Sequence, residues 1–430
     1  MSVREIAERH WNGEGDLVHS EHPVHAPVGG REAEEIEDGL LYLKSVASVA
    51  VLDTGDGLVM LDTGGFFDVD TVYSGVRGWR PSEPVAAAVY SHHHVDHVFG
   101  TRRFEEEAET KGWARPVVYA HEEMPAHFDR YVKTAGWNAA INSRQFGAGL
   151  VKLEWPTEYR HPDVTYSDSI TFERGEMTFE LRHARGETDD ATWTWVPERR
   201  ILHPGDLFIW AVPNAGNPQK VQRYLSDWAA ALRQMAALEP ELMLAGHGLP
   251  IFGRDRIVAA LSDTADLLDS IESQTIELMN LGKSLDEVIH TVEVPSHLLD
   301  KPYLQPVYDH PQFLVRNVWR RYGGWYDGEP DNLLPAPRAQ QAREWVTLAG
   351  GIGPVLERAR SLATEGDHRM ACHLLEFAVL ADPSSKEAHE VRADVYAARA
   401  GQQTSSMARN ILNHAALSSQ HGIRDHAGQY

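Results

Sequence analysis

The sequence predicts a mixed α/β domain followed by an all-α region. Short apolar segments bounded by turn residues recur from Leu41 to Ala245, which is the pattern of strands. Between them lie helical stretches, such as 68–80, that make the sheet part α/β. From residue 340 to 418 the apolar spacing changes to that of three or four amphipathic helices, separated at Gly366-Asp367 and Asp382-Pro383. A chain of 430 residues exceeds one ordinary domain. The expected divisions are an N-terminal arm over 1–37, a domain over 38–260 that carries the chemistry, and a helical domain over 261–430.

Each element has a local reason. Residues 1–35 are polar, with a charged helical pattern over Met1 to His10, and read as an extended entry arm; its scattered His19, His22 and His25 are not read as metal ligands, given the prolines in that stretch. Leu41-Tyr42-Leu43, Ser48 to Leu52 and Leu58 to Leu61 are short strands, and Asp56-Gly57 between the last two is a hairpin signal. Asp62-Thr63-Gly64-Gly65 closes the hairpin, and Asp62 is either an ordinary turn residue or a group that orients a ligand from behind. Val85 to Tyr90 and Val117 to Ala120 read as buried strands, and Glu105-Glu106-Glu107 as a solvated helix face. The stretch 127–150 lacks clean periodicity and reads as a substrate-covering insertion. Strands are expected at Ile170 to Phe172, Met177 to Arg182, Thr192 to Val196, Arg200 to His203 and Leu242 to Ala245.

The Val85–Tyr90 strand ends in His92-His93-His94-Val95-Asp96-His97, an H-x-H-x-D-H spacing. With 23 histidines in the chain, an isolated one means little. Four ligand-type residues within six are different, because packing them without a metal crowds titratable groups for little apolar gain. His92 and His94 can point one way while the turn carries Asp96 and His97 to a second point, a layout for two metal ions. Three later strands also deliver a ligand-type residue beside glycine, in Gly186-Glu187-Thr188, Gly205-Asp206 and Gly246-His247-Gly248. His183 is an alternative to Glu187.

Composition removes several function classes. A net charge of −23 disfavours a nucleic-acid partner. No apolar run approaches the ~20 residues that span a bilayer, so no membrane partner and a cytoplasmic location are expected. The one cysteine, Cys372, forms no intramolecular disulfide and reads as a small core residue.

Taken together, H-x-H-x-D-H, Gly-Glu-Thr, Gly-Asp and Gly-His-Gly resemble the metallo-β-lactamase superfamily over roughly 38–260. The resemblance implies an αββα sandwich with a dinuclear site at one edge between the sheets. One metal would take His92, His94 and Glu187, and the other Asp96, His97 and His247, with Asp206 bridging both. Glutamate at 187, where many members have histidine, resembles the alkylsulfatase branch. So do Pro302-Tyr303-Leu304, Tyr308, Val315 to Pro330, Leu348 to Gly351 and Leu374 to Pro383, which resemble the alkylsulfatase dimerisation domain. This branch implies a homodimer, here without the sterol-carrier-like domain of larger members.

The expected activity is that of a dinuclear-zinc hydrolase cleaving alkyl sulfate monoesters with a metal-bridging hydroxide, with iron or manganese fitting the same ligands. Asp206 would fix the metal separation and Asp96 would take the water's proton. Asn138, Asn142, Arg144, Lys220 and Arg223 are expected to hold the sulfate. Trp137, Phe146, Trp210 and Trp325 are expected to hold the apolar tail. The alkylsulfatases have a bridging glutamate followed by a histidine-bearing stretch that supplies the leaving-group acid. Here Asp206 precedes Leu207 to Asn214, with no histidine. Either His203 or a residue from elsewhere substitutes, or the substrate is an ester, lactone or thioester that needs no acid. A non-hydrolytic iron protein of the same fold is a further alternative.

Overall fold

In the computed structural model, which describes residues 1–14, 22, 24, 33–146 and 150–429, two units are present. The first comprises 1–133, 156–283 and 287–322, and the second 134–155, 284–286 and 323–430. His19, His25 and residues 147–149 of the expected insertion lie outside the described residues.

Two sheets make the first unit. The first runs β1 (Ala33–Glu37), β2 (Leu40–Lys44), β3 (Ser48–Asp53), β4 (Leu58–Leu61), β5 (Val85–Val89), β6 (Val117–His121) and β7 (Val164–Tyr166), in that spatial order. Its first four strands pair antiparallel and its last four parallel. The second sheet has the order β13 (Ile251–Phe252), β12 (Leu242–His247), β11 (Ile201–Ile209), β10 (Thr192–Val196), β9 (Met177–His183) and β8 (Ser169–Arg174). The Tyr42 hydroxyl on β2 joins the sheets, donating to the Gly248 carbonyl at 2.6 Å. Helix Val69–Trp79 packs on β1 and β2, with Thr101–Lys111 beside it. Helix Leu225–Ala236 packs on β11, and Arg254–Asn280 on β12 and β13. The layers are therefore αββα, because each sheet buries one face on the other and one under helices.

The structure corrects several expectations. β11 does not stop at His203 but continues to Ile209. Pro204, which has no N–H to give a ladder, sits where the pairing with β12 shifts register between Leu202 and Gly205. Glu107 is not on a solvated face; it is buried and bonded to Arg77 Nε at 2.8 Å. Residues 127–146 are not irregular, since Met124–Lys133 and Ala135–Phe146 are helices. The second hides its period because Asn138, Asn142, Ser143 and Gln145 are buried along with Ala139 and Ile141.

The units also cut the chain differently from boundaries at 37 and 260. Helix Val3–Trp11, capped by Ser2 and Glu5, belongs with the sheets, and Trp11 stacks on Tyr303 at 5.0 Å. Segment 287–322 does too: Val307 shares an apolar cluster with Ile209 and Ala211.

The second unit is all-α. Between 338 and 420 it has five helices rather than three or four: Arg338–Leu348, Ile352–Thr364, His368–Ala381, Lys386–Gly401 and Ser406–Gln420. Asp367, Ser385 and Ser405 cap three of them by accepting backbone N–H bonds. Leu356, Ala359, Cys372, Leu375 and Val395 lie in the shared core, and Cys372 is a buried core residue as expected.

Candidate metal centre

The strand ends at one edge of the sandwich supply the site. β5 leads into Ser91 and the histidine cluster, β9 into the loop holding Glu187, β11 carries Asp206, and β12 ends in His247. Nε2 of His92 lies 2.8 Å from Nδ1 of His94, and Oε2 of Glu187 lies 3.4 and 3.3 Å from these two nitrogens. Oδ2 of Asp96 lies 3.3 Å from His247 Nε2 and 3.8 Å from His97 Nε2. Asp206 stands between the groups: Oδ2 is 3.7 Å from His92 and 3.3 Å from His247, and Oδ1 is 3.4 Å from His97. The structure thus brings the seven expected ligand residues together in two adjoining sets. His183 lies elsewhere, stacked on His121 at 3.9 Å.

The donor set fits divalent cations. Among the described residues, the buried atoms His97 Nε2, Glu187 Oε2 and Asp206 Oδ1 have no hydrogen-bond partner. Leaving such atoms unpaired in two adjoining ligand sets is costly unless cations take their lone pairs. Electrostatics agree. Burial alone would raise the Glu187 carboxyl, but His94 and Arg223 hold it well below the usual range. Burial likewise opposes ionisation of Asp206, yet His247 and His97 keep it ionised. Burial pushes the His94 imidazole down to about 4, so it is already a neutral ligand. Burial also opposes charging of His247, but Asp206 and Asp96 raise it to about 10.

Further buried groups hydrogen-bond to these candidate ligands or their neighbours. Asp62, at the end of the hairpin with φ of +55°, accepts from Ser91 N and Ser91 Oγ, both at 2.7 Å. Ser91 Oγ is in turn 3.0 Å from His92 Nδ1. Gly246 and Gly248 are needed beside His247: a Cβ on Gly246 would run into Asp206 Oδ1, and one on Gly248 into the Trp210 ring.

Several expected site residues have other duties. Trp210 is not a tail contact; it is fully buried and donates from Nε1 to Leu249 O at 2.8 Å. Arg223 is fully buried, its Nη1 bonded to the Glu187 carbonyl and 3.2 Å from Glu187 Oε1. His203 faces inward, 3.7 Å from Asp62 Oδ2, so it is not placed as a leaving-group acid. Lys220 is half-buried; burial lowers its ammonium to about 7, and it lies within electrostatic reach of Asp96 and Glu187. Asn138, Asn142, Arg144 and Trp325 belong to the second unit. There Asn138 bonds Thr134, Asn142 donates to Asn138 O, Arg144 pairs with Asp425 at 2.8 Å, and Trp325 is exposed. Trp137 and Phe146, also in that unit, are exposed.

Sequence reasoning missed other members. Asn214 donates to Glu187 Oε1. Tyr308 is pushed well above the usual phenol range by burial and by the charges of Glu187, Asp96 and Asp206. Behind the cluster, His93 Nδ1 is 2.9 Å from Asp190 and its Nε2 is 2.9 Å from Arg130. Asp190, three residues after Glu187, was the one with a visible signal, in the run Asp189-Asp190.

Comparison with known proteins agrees with this architecture. Residues 44–247 match the metallo-β-lactamase superfamily, and 284–422 match the alkylsulfatase dimerisation family. A linear primary-alkylsulfatase of a Pseudomonas species is 28% identical, over 80% of this chain and 68% of its own. An (R)-specific secondary-alkylsulfatase of Pseudomonas is 27% identical, over 88% and 60%. An alkyl/aryl-sulfatase of Saccharomyces cerevisiae is 24% identical, over 88% and 62%. The solved stereoselective inverting sec-alkylsulfatase from Pseudomonas superposes with a TM-score of 0.82 at 25% identity, over 91% of this chain and 66% of that one. The chain therefore spans about two-thirds of the length of these relatives.

Proposed function

We propose that this chain, a member of the metallo-β-lactamase superfamily in its alkylsulfatase-like branch, is a metal-dependent sulfatase that hydrolyses alkyl sulfate monoesters. The observation that carries the proposal is the convergence of His92, His94 and Glu187 on one point and of Asp96, His97 and His247 on another, with Asp206 between. Two divalent cations held there, zinc by preference and iron or manganese by the same ligand chemistry, would activate a water nucleophile and stabilise charge on the ester oxygens.

The chain's own groups do the rest. Asp206 sets the spacing of the two ligand sets. Asp96, only half-buried, is the carboxylate assigned to take the proton of the attacking water. Lys220 is assigned to hold the sulfate, since Arg223 is committed to Glu187. Three carboxylates around two cations leave a site of low net positive charge, which suits a monoanionic ester. The match to an alkylsulfatase dimerisation family supports assembly as a homodimer. Among the described residues no helix is long and apolar enough to cross a membrane.

One observation favours a second reading. No histidine lies in 207–214, and His203 is turned toward Asp62. An ester or lactone with a good leaving group would need no acid there. Sulfate release from a long-chain alkyl sulfate, measured beside a panel of esters and lactones, separates the two. Sulfate release is expected, and ester cleavage without it would sink the sulfatase reading.

A further inference from the structure

Glu187 is held by more than its place in the loop. Both of its carboxylate oxygens are buried, but they have different surroundings. Oε1 accepts from Asn214 Nδ2 and lies 3.2 Å from Arg223 Nη1. The same Nη1 donates to the Glu187 main-chain carbonyl, so one guanidinium nitrogen grips the residue at both its backbone and its side chain. Oε2, in contrast, has no hydrogen-bond partner among the described residues and faces His92 Nε2 and His94 Nδ1.

The grip is itself anchored. Arg223 is 1% exposed, and its backbone is tied to the side chain of Asn317, which accepts from Arg223 N at 3.3 Å and donates to Arg223 O at 3.0 Å. Asn317 lies on helix Pro311–Gly323, in the same unit as the sheets. Burying an arginine at this depth is expensive unless its charge is met, and Glu187 meets it.

We infer that Arg223 and Asn214 form a clamp that occupies Oε1 of Glu187 and leaves Oε2 as its single metal-binding oxygen. They are positioning residues: they fix the carboxylate's rotation and lower the charge it brings to the cation shared with His92 and His94. The inference rests on the metal-site reading above. It goes beyond that reading in assigning the weak point of one ligand set to two residues that touch no metal.

The test uses the full chain with Arg223→Ala, Arg223→Lys and Asn214→Ala, each checked for folding by circular dichroism. Zn2+ and Co2+ binding is titrated against a chelating indicator, and the visible spectrum of the Co2+ form is recorded. The unsubstituted chain is expected to take two ions. Each variant should keep one ion at unchanged affinity and weaken the other about 10–100-fold, the usual loss when a ligand's supporting group is removed. The Co2+ spectrum should change for that ion alone. Arg223→Lys should behave like Arg223→Ala, because a flexible lysine stem with a point-charge ammonium lacks the rigid planar fork that sets Nη1 against both oxygens. Asn214→Ala decides the matter where an Arg223 variant fails to fold. Variants that hold both ions as tightly as the unsubstituted chain overturn the clamp while leaving the metal site standing. An unsubstituted chain that binds neither ion overturns the metal-site reading, and the clamp with it.

Discussion

Oδ2 of Asp62 lies 2.7 Å from Nδ1 of His97, with both side chains fully buried. The bond fixes the His97 ring so that Nε2 faces Asp96 and Asp206. Asp62 holds this place in a left-handed backbone conformation, φ +55°, that few non-glycine residues adopt and aspartate tolerates better than most. Asp62→Ala should therefore weaken metal binding or activity about 10–100-fold, the range seen when such supporting groups are lost. Metal content after dialysis and kcat on an alkyl sulfate check it, and unchanged values would reduce Asp62 to a turn residue.

Metal binding should release protons and tighten as pH rises. In the metal-free fold the Asp206 and Asp96 carboxylates outweigh burial and hold His247 up to about 10, so a cation must displace its proton. The same shift has the opposite sign for the metal-free protein. A pKa raised from 6.5 to about 10 stabilises that form fully below 6.5, and this contribution fades as pH rises through about 10. Thermal unfolding against pH, with and without added zinc, should show the two trends diverging above neutral pH, and parallel curves would contradict it.

Gly246→Ala should damage the site through Asp206. The added Cβ would meet Asp206 Oδ1 and the Gly205 backbone, neither of which can swing away cheaply. The expected outcome is loss of metal stoichiometry together with a stability loss of about 1–3 kcal/mol, the usual range for overpacking. Chelator titration and denaturant unfolding measure the two quantities, and an alanine variant with full metal content would show that Asp206 has room to move.

Trp210 and Lys220 should part company. Trp210→Phe removes a buried hydrogen bond to Leu249 O and should cost about 1 kcal/mol of stability. It should leave the dependence of KM on alkyl chain length unchanged. Lys220→Ala should raise KM for an alkyl sulfate while sparing an uncharged ester of the same chain. Steady-state kinetics on the two substrates decide both assignments.

The candidate ligands were legible in the sequence because each lies in or just past an apolar strand and beside a marker: the close spacing of His92 to His97, or glycine next to Glu187, Asp206 and His247. The αββα layering followed from the family resemblance that these motifs carry. The groups that hold the ligands were harder to see. Arg223 reaches Glu187 across 36 positions, and Asn317 reaches Arg223 across 94, so no local pattern joins them. Trp210 misled for a related reason: a tryptophan in a stretch past a ligand looks like a substrate wall, and only the packing under Gly248 shows it to be core. Helix Ala135–Phe146 escaped notice because its buried face is largely amide and hydroxyl rather than apolar.

The most direct test of the account is sulfate release from a long-chain alkyl sulfate by chain stripped of metal and then reloaded. The account predicts no release from the stripped protein and recovery that rises to completion as two equivalents of zinc are bound. Full activity in the stripped protein, or recovery of ester cleavage with no sulfate released, would contradict it.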